Sequence, residues 1–236
     1  MNLLGYEISE GYPSFPFRKK TMINTINPHS YCVSKGDKEF EKALKKSDVL
    51  LPDGIGIVLA AKILQKKKIT RITGYDIFLH SMNYLNETNG SCFFLGASEI
   101  TLKLIQERIQ KDYPNVSVNS FSPPFKAFFS EEDNNTMCQK VNEYKPDILF
   151  LGMTAPKQEK WAAENLDKLE VNTVCSIGAV FDFYAGTVER PNKIWLDFGL
   201  EWLGRFLKEP KRLAHRNLIS APQFVVDVIT KKLIRK

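Results

Sequence analysis

Asp53 has neighbours that suit it to move a proton. It follows the apolar run Val49-Leu50-Leu51, sits behind the rigid Pro52 and precedes Gly54 and Gly56 at the start of a helical pattern. The positive end of a helix keeps a nearby carboxylate ionised and able to take a proton from a hydroxyl. The same position also suits a plain helix cap, and spacing alone leaves both roles open. A second candidate, Gly96-Ala97-Ser98, follows the run Cys92-Phe93-Phe94-Leu95. There glycine would let an anion approach outward-pointing helix amides. It has neither a dinucleotide fingerprint nor the lysine of a P-loop, and a tight turn is the commoner use of such a triplet. Arg205, Arg212 and Arg216 are spaced by seven and four, which places them on one side of a continuous helix, although Pro210 interrupts that pattern. Guanidinium groups grip phosphate oxygens in pairs, so three on one side suit a diphosphate; a solvated basic face is the commoner use. Trp195, Trp202 and Phe206 accompany them, either as a docking surface or as core packing.

Other chemistry finds little support in the spacing. His29, His80 and His215 are scattered, and no Asp-x-Asp pair follows a strand pattern to hold a divalent ion. There is no nucleophile elbow and no Cys and His pairing. Cys32, Cys92, Cys138 and Cys175 are too far apart for a zinc site and form no disulfide framework, which fits a reduced compartment.

The elements that would position these residues alternate along the chain. Strand patterns fall at 3–8, 21–24, 48–52, 91–95, 115–120, 147–152 and 172–177; amphipathic helix patterns fall at 37–46, 55–65, 76–86, 99–111, 131–143 and 157–167. Ser98 and Ser130 precede acidic first turns, and Pro156 sits at a helix start. This order predicts an α/β fold, a Rossmann-like, mostly parallel sheet flanked by helices, with a C-terminal helical appendage. Ligands of such sheets bind outside the carboxyl ends of the strands, so the residues after each strand are where chemistry is expected. Those residues are Thr25-Ile26-Asn27-Pro28, Pro52-Asp53-Gly54-Ile55-Gly56, Gly96-Ala97-Ser98, Gly152 through Glu159, and Gly178 through Asp182.

The charge is unevenly placed. The net charge is +6, and residues 187–236 carry 11 Lys and Arg against 5 Asp and Glu, which leaves the first 186 residues neutral. A localised basic surplus points to an anionic partner: a phosphate ligand, nucleic acid or an acidic membrane surface. The N-terminus lacks a leader pattern, and no window approaches the roughly 20 apolar residues that span a bilayer. A cytoplasmic protein, peripheral on the inner face of the cell membrane, is expected. The final helix pattern, 218–236, mixes Phe224, Val225, Val226, Val228, Ile229, Leu233 and Ile234 with Lys231, Lys232, Arg235 and Lys236. It suits either an interfacial helix on anionic lipid or a helix packed on the core with a basic end. The expected organisation is a core over 1–190 and an appendage over 191–236.

Seven segments in order resemble the WecG/TagA/CpsF family of bacterial glycosyltransferases over nearly the whole chain. They are Thr25-x-Asn27, Leu51-Pro52-Asp53-Gly54-x-Gly56, Arg71-x-Thr73-Gly74-x-Asp76, Phe94-Leu95-Gly96, Pro156-Lys157-Gln158-Glu159, Gly178 through Asp182 with Ala185-Gly186, and Leu200-Glu201-Trp202 with Arg205, Pro210, Arg212 and Arg216. The resemblance implies inverting transfer of a sugar, often an N-acetylmannosamine derivative, from a UDP-sugar donor to a sugar on a polyprenyl diphosphate carrier in cell-surface polysaccharide synthesis. It also implies catalysis without metal or cofactor, and an appendage that meets the membrane and completes the active site. By resemblance, Asp53 is the catalytic base and Thr25 helps position substrate. Asn27, Arg71 and Gln158 line the donor pocket, with Gly74, Asp76 and Gly96 in its substrate-binding segments. Arg205, Arg212 and Arg216 stabilise the charge developing on the diphosphate. His29, Pro191-Asn192 and Gly204 depart from the family pattern. A non-catalytic nucleotide or lipid-phosphate binding module is the alternative reading. Nucleic acid is not an expected partner, whereas a second copy of the chain is possible, because apolar surface on the appendage would be covered by lipid or by a second subunit.

Overall fold

The computed structural model describes residues 1–189 and 215–234. The strands are β1 (Asn2–Leu3), β2 (Tyr6–Glu7), β3 (Thr21–Ile26), β4 (Val49–Pro52), β5 (Ser91–Gly96), β6 (Ser117–Phe121), β7 (Ile148–Gly152) and β8 (Thr173–Ser176). The helices are α1 (Pro28–Gly36), α2 (Lys38–Lys45), α3 (Ile55–Gln65), α4 (Gly74–Thr88), α5 (Glu99–Asp112), α6 (Glu131–Tyr144), α7 (Lys157–Asn165), α8 (Val180–Ala185) and α9 (Ala221–Ile234). Strands β3 to β8 form one parallel sheet in the order β4-β3-β8-β7-β5-β6. The chain lays β3 and β4 toward one edge, crosses to build β5 and β6 at the other, and returns inward with β7 and β8. Helices cover both faces, which is why β5 and β7 read as apolar runs rather than alternating ones and why every residue of β8 is buried. Only at the edge, in β6, do Ser117 and Asn119 reach solvent. The sheet expected from the sequence is present.

Three local expectations change. The strand pattern at 3–8 is a tight antiparallel hairpin of β1 and β2, because Leu4 and Gly5 both adopt positive φ, 54° and 88°, as a two-residue turn requires. A helix, α1, begins directly after β3, where only a turn is expected. Asn27 caps it by accepting from His29 and Ser30 N–H, the Ser30 hydroxyl returns to the Asn27 backbone, and Pro28 opens the first turn. The short helix α8 follows β8 in the same way.

The core has a face rich in aromatic rings and a face rich in aliphatic side chains. On the first, Phe78, Phe94, Phe150, Phe181 and Tyr184 interlock, with ring centroids 4.9 Å apart for Phe78 and Tyr184 and 5.1 Å for Phe94 and Phe181. Such edge-on pairs add roughly 0.5–1.5 kcal/mol each beyond the apolar area they bury. On the second, Met22, Leu149, Leu151 and Val174 pack against Met137, Val141, Trp161 and Ala162.

The end of the chain returns to the edge formed by α1 and α3. A π-helical turn, His215–Ser220, leads into α9, whose Phe224 and Val228 are buried beside Tyr31 and Ile57. Phe224 meets the Tyr31 ring edge-on at 5.4 Å, and Lys35 pairs with Asp227 at 2.7 Å. One side of this helix packs on the core, while Val225, Val226, Ile229 and Leu233 remain exposed. Among the described residues no helix is long and apolar enough to cross a membrane.

Candidate active site

A cleft of about 820 Å³ opens outside the carboxyl ends of β3, β4, β7 and β8. Thr25 and Asn27 enter it from the end of β3, Asp53 and Gly54 from β4, and Arg71, Thr73 and Gly74 from the loop that starts α4. Gln158 and Glu159 enter from the first turn of α7, and Gly178 and Asp182 from the turn into α8. The position follows from the topology, since turns after neighbouring parallel strands open on the same edge of the sheet.

Asp53 is half-buried, and its backbone N–H donates to Ile26 C=O at 2.8 Å, which joins the ends of β3 and β4. The cap residue of α3 is Gly54, at φ 89°, with no side-chain cap, so the position after Asp53 takes the role that spacing left open for it. Asn27 Nδ2 donates toward Asp53 Oδ2 at 3.5 Å, while Asn27 Oδ1 accepts the two N–H groups at the start of α1. One side chain therefore caps a helix and faces the candidate base.

Asn27→Asp separates those roles. Aspartate caps a helix as well as asparagine does. It also puts a second carboxylate beside Asp53, and like charges at that range favour the protonated form. A base must be ionised to act, so the acid limb of the pH profile of kcat/KM should move toward higher pH by about one pH unit. Initial rates between pH 5 and 9, with melting temperature as control, check this; an unmoved limb would remove Asn27 from the surroundings of the base.

Gln158 is buried and held on three sides. Its Oε1 accepts from Met153 N–H at 3.3 Å and Gly178 N–H at 3.1 Å, and its Nε2 donates to Glu159 Oε1 at 2.9 Å. Glu159 is 3 % exposed. Burial raises its carboxyl from the ordinary range to about 7, against a smaller lowering by Gln158. The folded protein thus keeps this proton up to about pH 7, whereas the unfolded chain releases it in the ordinary carboxyl range. Stability from this residue is complete at acid pH and falls as pH rises through that interval, by on the order of 3 kcal/mol. Glu159→Gln cannot ionise. Its unfolding free energy relative to the wild type should therefore climb by that amount between pH 4.5 and 7.5, as measured by urea titration at each pH.

The remaining expected site residues divide. Arg71 and Gly74 line the cleft; a Cβ at Gly74 would stand 3.1 Å from Ile177 C=O. Asp76 stands one turn inside α4, where its Oδ2 accepts from Thr73 N–H and hydroxyl at 2.8 Å each, and it does not border the cleft. Its carboxylate holds the helix start that carries Gly74. Gly96 lies at the end of β5, also off the cleft, with φ 131° and a Cβ position 2.6 Å from Gly152 C=O. Arg205, Arg212 and the side chain of Arg216 lie outside the described residues.

Sequence reasoning assigned no role to three cleft residues. Asp182 is a second carboxylate, accepting weakly from the Thr187 hydroxyl at 3.4 Å. Its signal was an acid in the turn after a strand. Glu159 stood in a recognised segment, but its burial was not legible. His29 Nδ1 meets Ser220 Oγ at 2.9 Å, so the segment that carries Arg216 ends beside the cleft.

Comparison with known proteins gives a consistent result. The model of the glycosyl transferase WecG/TagA/CpsF family matches residues 14–236. An N-acetylglucosaminyldiphosphoundecaprenol N-acetyl-beta-D-mannosaminyltransferase of Bacillus spizizenii is 28 % identical over 211 residues, covering 89 % of this chain and 79 % of the relative. Proteins of the same name from Bacillus subtilis and Staphylococcus aureus are 25 % and 26 % identical over 215 residues; each alignment covers 91 % of this chain, and 81 % and 82 % of the relatives.

Proposed function

Because the chain belongs to the WecG/TagA/CpsF family of glycosyl transferases, we propose that it moves a sugar, of the N-acetylmannosamine type or a related hexose, from a UDP-sugar to a saccharide on a polyprenyl diphosphate, with inversion at the anomeric carbon. The observation that carries this reading is the convergence of Thr25, Asn27, Asp53, Arg71 and Gln158 on one cleft from separate turns. The names of the relatives supply the acceptor class.

In this reaction Asp53 takes the proton of the acceptor hydroxyl as that oxygen attacks the anomeric carbon. The bond to the UDP oxygen breaks on the opposite face. Thr25, on the neighbouring strand and in register with Leu51, helps place the acceptor. Charge grows on the leaving diphosphate, and fixed cations stabilise it far better in a cleft than in water. Arg71 stands in the cleft, and Arg205, Arg212 and Arg216 come from the appendage, here taken as 191–236, whose Ser220 reaches His29. The residues offer these cations in place of a metal.

A lipid tail on the acceptor supports a position for the enzyme at the inner face of the cell membrane. The exposed apolar residues Leu59 and Ile63 of α3, and Val225, Ile229 and Leu233 of the adjoining α9, form a surface for the bilayer, with Lys231 and Lys232 for anionic headgroups. In solution a second copy can cover the same surface.

The test is transfer from a panel of UDP-sugars, led by UDP-N-acetylmannosamine, its uronic acid, UDP-glucose and UDP-galactose, to a short-chain prenyl diphosphate sugar without added metal. Turnover with one donor names it; UDP binding with no turnover from any donor would favour a binding module. In detergent, where membrane attachment no longer matters, Arg212→Ala and Arg216→Ala should each lower kcat by on the order of 10²-fold if they stabilise the leaving group.

A further inference from the structure

We propose that Glu159 is a positioning residue for the transfer: it fixes the Gln158 amide, which ties together the chain ends of β7 and β8 that wall the cleft. The proposal rests on the donor site assigned above.

Gln158 has one way to satisfy its surroundings. Two backbone N–H groups, of Met153 after β7 and Gly178 after β8, point at one side-chain atom, and only the oxygen end of an amide can accept both; the Gly178 N–H is shared with Leu151 C=O at 3.1 Å. The nitrogen end is then turned to Glu159 Oε1, at 2.9 Å. The two backbone N–H groups set the orientation of the amide, and Glu159 holds it there by accepting from the nitrogen end. Met153, Gly178 and Gln158 all border the cleft, so a loosened joint widens the donor wall directly.

The far side of Glu159 explains its form. Three buried side-chain atoms lack a hydrogen-bond partner among the described residues: Glu159 Oε2, Asn24 Oδ1 and Ser176 Oγ. Ile23 pairs with Cys175 across β3 and β8, so Asn24 and Ser176 follow as neighbours. They share the sheet face of Met22 and Val174, the face that packs on Trp161 and Ala162 of α7. Asn24 Nδ2 is already given to Ser47 Oγ at 2.8 Å, which leaves its oxygen as an acceptor. An ionised Glu159 would bury a charge on the α7 side of a sheet face whose Asn24 oxygen and Ser176 hydroxyl are unpartnered, whereas the neutral acid carries an O–H donor. A neutral acid that accepts through Oε1 and carries its O–H on Oε2 can be replaced by glutamine with little change of pattern. An apolar side chain of similar length removes both functions without leaving a cavity.

Wild type, Glu159→Gln, Glu159→Met, Gln158→Met and the double Met variant are therefore compared by backbone amide exchange at Met153 and Gly178, and by donor KM and kcat. Glu159→Met should speed exchange at Met153, whose N–H turns to Gln158, by on the order of tenfold, and at Gly178, which keeps Leu151 C=O, by less. It should raise donor KM by about tenfold with kcat within about threefold, the split expected when binding geometry rather than chemistry is lost. Glu159→Gln should restore most of both. The double variant should be no worse than Gln158→Met, because two residues acting through one joint do not add. Unchanged exchange at Met153 in Glu159→Met, or simple addition in the double variant, would overturn the proposal. Should Glu159→Met fail to fold, Gln158→Met breaks the same joint from its other partner, and intact protection there is equally fatal. Exchange needs no substrate, so it judges the joint even if no UDP-sugar is turned over, a result that would count against the donor assignment alone.

Discussion

Replacing Asp53 by asparagine should lower kcat by on the order of 10³-fold while leaving donor affinity within about threefold. The substitution keeps side-chain size while removing the negative charge and with it the capacity to take a proton. Its structural cost should be small, because Asp53 is half-buried and the cap of α3 is supplied by Gly54 instead. Initial rates with the identified donor, and calorimetric titration with UDP, separate the two quantities. A kcat within about tenfold of wild type would place the base elsewhere. Asp182, the other aspartate bordering the cleft, would then be examined by the same substitution.

Gly152→Ala should be strongly destabilising. Gly152 ends β7, borders the cleft on one side and faces the ring of Phe181 on the other, where an added Cβ would collide with three ring atoms, including the one that joins the ring to its stem. A ring struck at its root cannot swing aside, and Phe181 is 1 % exposed and wedged against Phe94. Overpacking of this kind costs roughly 3 kcal/mol, or about 10 °C in melting temperature for a chain of this size. Thermal unfolding of both proteins at one pH measures it. A drop under about 3 °C would mean that α8 moves away from the sheet without resistance. Because the same displacement shifts Gly178 and Asp182, donor KM should rise together with the loss of stability.

Strand and helix patterns made the parallel sheet legible, since alternating apolar runs and amphipathic segments are local properties of the chain. So was Asp53, a charged residue held between an apolar strand and a helix-opening glycine. The helix α1 was also written locally, in Asn27, Pro28 and Ser30, although its cap was read only as a turn. The order of the strands was not legible, because it depends on which apolar faces pack together over long separations. That order decides which turns meet. It brings the ends of β3, β4, β7 and β8 around one cleft, and sets Gly96 against Gly152, off the cleft lining. By itself, then, the sequence determined the kinds of elements, the turns between them and a carboxylate suited to proton transfer. Only the tertiary structure decided that Gln158 joins two strand ends, that Asp76 serves a helix start and that Glu159 is a buried acid, since burial and hydrogen-bond partners arise from contacts between residues far apart in the chain.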